Sequence, residues 1–144
     1  MEEVQRYIKE KTALLEKFLD MTEKIVELFK LDVSNDENAM VRIQFLVDKR
    51  EEIIDRIKEV NANIEESTGG NQAAFKKEYE SQIAFWVELL EKIKTLEELN
   101  MKSIEQMMGQ YMEKVRTTKD SIRVLGAYQK QMSYDTPANI DKRN

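Results

Sequence analysis

A chain of 144 residues, 35% charged and 41% apolar, with four glycines and one proline, has the composition of long helices rather than of sheets. It contains neither histidine nor cysteine. That excludes disulfides, thiolate catalysis, the commonest general base and the usual zinc ligands. The net charge of −5 argues against a general nucleic-acid binder.

The first segment, from about Glu2 to Leu31, places Val4, Ile8, Leu15, Phe18, Thr22, Ile25 and Phe29 at steps of three, four and seven, one face of a helix. Glu2/Arg6 and Asp20/Lys24 stand four apart with the acid first, the favourable order. The start Met1-Glu2-Glu3 lacks a basic region followed by an apolar core, so no signal peptide is expected. Ser34-Asn35-Asp36-Glu37 then has the pattern of a capping box, predicting a second helix from about Asn35 to Glu66. Its stripe is Ile43, Leu46, Val47, Arg50, Ile53, Ile54, Ile57, Val60 and Ile64. Arg50 is a charged intruder, expected to lay its stem along apolar neighbours and reach water. Ser67-Thr68-Gly69-Gly70-Asn71 should stop this helix, with a left-handed glycine after it and Asn71 capping the third segment.

The third segment is the unusual one. From 72 to 131 an almost unbroken helical stripe runs through Phe75, Tyr79, Ile83, Trp86, Leu90, Ile93, Leu96, Ile104, Met107, Tyr111, Val115, Ile122 and Leu125. A single helix of that span is about 90 Å long, about twice either preceding helix. If it stays straight, 72–101 pack on the hairpin and 102–131 overhang. If it breaks, Gly109 is the expected hinge and the chain closes as a four-helix bundle. The stripe crosses Gly109 in phase, which favours the straight helix. Met101, Met107, Met108 and Met112 cluster in the overhang, and methionine suits surfaces that accept varied apolar partners. Residues 133–144, with Pro137, show no period and read as an extended tail. Residues 110–144 hold seven Lys/Arg and four Asp/Glu, a mildly basic end on an acidic body.

The expected fold is therefore all-α: an elongated antiparallel three-helix bundle or coiled coil with a long third helix, one domain over 1–132. No nucleophile-and-base arrangement can be drawn, and the carboxylates fall on polar faces. No enzymatic activity, metal or cofactor is expected. The longest purely apolar run, Ile83 to Val87, is far short of the ~20 residues that span a bilayer, so no membrane insertion is expected.

Three long helices, the run Leu46-Val47-Asp48-Lys49-Arg50-Glu51-Glu52-Ile53-Ile54, Leu125-Gly126-Ala127-Tyr128, and the closing Asn139-Ile140-Asp141-Lys142-Arg143 resemble the FlgN/FliT group of flagellar type III export chaperones, on the FlgN-like side. The resemblance spans nearly the whole chain, and the tail is its most specific part. It implies a cytoplasmic protein that binds a hook-associated (hook–filament junction) client, or a filament-cap client on the FliT-like side. Such a protein keeps its client from assembling early and delivers it to the export apparatus through its C-terminal helical part. The overhang suggests the same region independently. Met107, Met108, Tyr111, Met112, Val115, Ile122, Leu125 and Tyr128 are the expected client-binding face, in a helix-in-groove mode. Lys114, Arg116, Lys119 and Arg123 would flank it. The competing reading is a structural coiled coil whose overhang pairs with itself as a homodimer.

Overall fold

The computed structural model describes residues 2–30, 37–113 and 119–134. All five elements among them are helices: α1 (Glu2–Phe29), α2 (Glu37–Ser67), α3 (Gln72–Glu78), α4 (Glu80–Glu113) and α5 (Lys119–Tyr134). The expected stripe of α1 is buried at every position, with Lys11 and Met21 added to it. In α2 the whole expected stripe is buried except Leu46, which packs at the edge of the core. The capping box at 34–37 lies outside the described residues apart from the helix start at Glu37.

The α2 terminus follows the glycine chemistry closely. Gly69 and Gly70 have φ of +63° and +74°, the left-handed region open to a residue without Cβ. The Gly70 amide donates to the Glu65 carbonyl at 3.0 Å and the Gly69 amide to Glu66 at 3.3 Å. This crossed pair satisfies carbonyls that the helix end leaves open. Asn71 then caps α3, its side chain accepting from the Ala74 amide at 3.1 Å.

The long third helix is not one helix. It is interrupted at Tyr79, where φ −113° and ψ 33° leave the helical region, and again between Glu113 and Lys119. Gly109 is not the hinge, since α4 continues through it for four more residues. The 102–131 overhang is replaced by a fold-back. Tyr128 on α5 meets Asn100 on α4 at 2.9 Å, and Gln131 donates to the Val47 carbonyl on α2 at 3.1 Å. An exposed stripe left in water forgoes about 1.5–3 kcal/mol for each large apolar side chain, and a short connection costs little entropy to close.

The helices alternate in direction. Glu10 pairs with Arg56 at 2.6 Å and Phe18 lies under Arg50, so α1 and α2 are antiparallel. Thr12 meets Trp86 at 2.7 Å and Thr22 approaches Glu97 at 3.5 Å, so α4 runs parallel to α1. α5 then returns alongside α2. Its 16 residues reach only part of the way along the 31 of α2. One half of the bundle is therefore four helices thick, around Ile25, Phe29, Ile43, Val47, Ile104, Leu125 and Tyr128. The other half is built by α1, α2 and α4 with α3 at its end, around Leu15, Phe18, Ile54, Ile57, Trp86 and Ile93.

Candidate functional site: a buried polar centre and an open groove

Where the two halves meet, four helices each contribute a polar side chain to one buried cluster. Arg50 of α2 is 1% exposed, yet it neither snorkels nor reaches water. Its Nη2 pairs with Glu97 Oε1 of α4 at 2.5 Å, and its Nη1 donates to the Tyr128 hydroxyl of α5 at 2.7 Å. Asn100 Nδ2 donates to the same hydroxyl at 2.9 Å, and that hydroxyl in turn donates to Glu97 Oε2 at 3.3 Å. Thr22 of α1 donates to the Phe18 carbonyl at 2.8 Å and lies 3.5 Å from Glu97 Oε1. The guanidinium is sandwiched between the Phe18 ring, 4.3 Å away, and the Tyr128 ring at 5.0 Å. Gln131 adds a bond to Glu51 at 2.7 Å at the margin.

Burial pushes the Glu97 carboxyl above its ordinary range, with Arg50 opposing. Burial also holds the Tyr128 hydroxyl well above its usual value, so it stays a neutral donor. The Thr22 and Tyr128 hydroxyls beside the Glu97 carboxylate are buried, as is Arg50. Neither of the two surface cavities described next is lined by Arg50, Glu97 or Tyr128. The cluster ties one turn of α5 to facing turns of α2 and α4.

Two surface features outside this centre have the form of binding sites. An open depression of about 950 Å³ is lined by Leu19, Val26 and Leu28 of α1, Phe45 and Leu46 of α2, and Leu96 of α4, with Asp20, Glu23, Lys24, Glu27, Arg42 and Lys92 around it. In its wall Phe45 is 58% exposed, and Val41, one turn earlier on α2, is 67% exposed. A second cavity of about 340 Å³ lies towards the α3 end, between α2, α3 and α4. No described helix is long and apolar enough to cross a membrane, and among the described residues no group of three acidic side chains could hold a metal ion.

The expected client-binding residues do not form one exposed face. Leu125 and Tyr128 are fully buried, because α5 turns back and uses them as its own anchors on α2 and α4. Met107 and Met108 are partly buried and pack on the same core. Tyr111, Met112, Val115 and Ile122 lie outside the residues whose side chains are described, as do the flanking Lys114, Arg116 and Lys119. Trp86 is a core residue as expected, 3% exposed, its indole donating to Thr12. Glu97 and Asn100 were missed. They are spaced 93, 97, 100, 104 with Ile93 and Ile104, so their polar break in an apolar stripe was the available sign that Arg50 had a partner.

Family models, curated proteins and solved structures offer no match to this chain. The functional reading therefore rests on the residues and their geometry.

Proposed function

We propose that this chain is a cytoplasmic export chaperone of the FlgN/FliT type, FlgN-like in its client. It would hold a helical terminal segment of a hook–filament junction protein and deliver it to the flagellar export apparatus. A filament-cap protein is the alternative client. The observation that carries the reading is the open depression over α1, α2 and α4, with Phe45 and Val41 standing in solvent beside it. A large apolar surface with a mixed-charge rim suits an amphipathic helix better than a small polar metabolite. The proposed client site is therefore this depression rather than the Met107–Tyr128 face, because Leu125 and Tyr128 already have partners within the chain.

Pull-down from cells carrying the flagellar genes tests both function and site. Wild-type protein should retain hook-associated or cap proteins, and Phe45→Asp with Val41→Asp should lose them. Both side chains are exposed, so melting should stay within about 0.5 kcal/mol of wild type. Retention of the same clients by the double variant would overturn the site, and capture of no flagellar protein by wild type would overturn the function. The same exposed pair also favours a second reading, a structural protein that self-associates through α2. Light scattering over a concentration series separates the two: a tight dimer that persists with client speaks for structure, a dissociable one for chaperoning.

A further inference from the structure

The cavity of about 340 Å³ at the α3 end has an apolar side and a polar one. The apolar side is Ile64 of α2, Phe75 of α3, and Ile83, Trp86 and Val87 of α4. Val87 is left 43% exposed, a large apolar group that a ligand would cover. An apolar cavity of about 150 Å³ takes one benzene, so this one has room for a body of about two rings. On the polar side the Thr68 hydroxyl is already engaged, donating to the Ile64 and Glu65 carbonyls at 2.9 and 3.2 Å. Asn61 is different. It is 6% exposed and its Oδ1 has no hydrogen-bond partner, a costly state for a buried acceptor. The soft χ2 of asparagine lets that oxygen turn towards a donor placed in the cavity. The charged residues of the wall are Lys11, Glu65 and Lys76, two cations against one anion. Glu65 and Lys76 are exposed and screened by water. Lys11 is only 2% exposed, with its ammonium 4.3 Å from the centre of the Trp86 ring. A cation held there acts through little water and reaches an anion in the cavity at greater strength.

We infer that this cavity is a binding site for a small aromatic carboxylate that carries a ring N–H, of the indole carboxylate class. Its rings lie against Phe75, Ile83 and Val87, its N–H donates to Asn61 Oδ1, and its carboxylate faces Lys11 and Lys76. Each part of the ligand answers a separate feature of the wall: the apolar space, the bare acceptor and the surplus positive charge. A purely apolar ligand leaves Asn61 bare, and a cationic one meets Lys11. The site shares no residue with the depression that Phe45 lines, so it stands or falls independently of client binding.

The chain has a single tryptophan, so the Trp86 indole gives one isolated NMR signal in the cavity wall. Titrating the full isotope-labelled chain with indole-3-acetate should shift that signal and the Asn61 side-chain amide along one saturable curve. Two analogues each delete one group: 1-methylindole-3-acetate lacks the N–H, and 3-methylindole lacks the carboxylate. Each should bind about tenfold more weakly than indole-3-acetate. Asn61→Ala should weaken indole-3-acetate about tenfold while leaving 1-methylindole-3-acetate unchanged, because that probe has no donor to lose. Lys11→Met with Lys76→Met should weaken indole-3-acetate while leaving 3-methylindole unchanged. No saturable shift of Trp86 at millimolar indole-3-acetate would overturn the inference. Equal binding of the three probes would also overturn it, as the mark of an apolar hole without recognition. Shifts confined to the residues around Phe45 would place the ligand elsewhere and overturn the assignment.

Discussion

Arg50, Glu97 and Tyr128 come from three different helices, and removing any one of them leaves the other two buried with groups unpaired. Tyr128→Phe keeps the ring against Phe29 and deletes only the hydroxyl that Arg50 and Asn100 both use. It should cost about 1–3 kcal/mol, read as a lower urea midpoint with unchanged slope. Glu97→Gln gives a test in pH. The folded carboxyl titrates above its ordinary value, burial being the main cause, so the native state holds that proton more tightly than the unfolded chain. Its contribution favours folding on the acid side and is lost as pH rises from the unfolded value through the folded one. The stability of wild type relative to Glu97→Gln should therefore fall over the interval just above the ordinary carboxylate range in paired urea titrations. A rise over that interval would mean that Arg50 outweighs burial. At this scale the sequence was half legible. Arg50 announced itself as a charge in an apolar stripe, but its partners are 47 and 78 positions away, and no local spacing links them.

Individual helices were read well wherever the signal was local. The stripes of α1 and α2 follow from a period of three and four, and the glycine pair and Asn71 follow from backbone geometry. Gly70→Ala should destabilise the protein by about 1 kcal/mol, because φ of +74° crowds a Cβ even in open space. Gly109→Ala should do the opposite. Gly109 is exposed in the interior of α4 with nothing near its missing Cβ, so alanine should stabilise by up to about 1 kcal/mol. A hinge at 109 would instead make that substitution destabilising, and thermal melts of the two variants side by side distinguish the cases. Closure as a four-helix bundle, with a break at Gly109, is the less favoured sequence reading because the apolar period runs through that residue in phase. Periodicity records which side chains share a face, not whether the helix bearing them is continuous. In-phase stripes on two successive helices look like one stripe on a single helix.

For the molecule as a whole, the all-helical class follows from composition, whereas the closure of the bundle depends on a comparison of free energies that spacing does not contain. Folding α5 back buries Val124, Leu125 and Tyr128 and gives the Gln131 amide nitrogen two acceptors on α2. A straight helix would leave them in water until a partner arrived. Open apolar surface remains at the depression that Phe45 lines. Both the buried polar centre and the closed bundle require α5 to be seated on α2 and α4. Small-angle X-ray scattering of the full chain at low concentration tests that most directly. A seated α5 gives a particle little longer than α4, whose 34 residues span about 50 Å, so a maximum dimension near 60 Å is predicted. A maximum dimension near 90 Å, the length of an uninterrupted helix from 72 to 131, would contradict it.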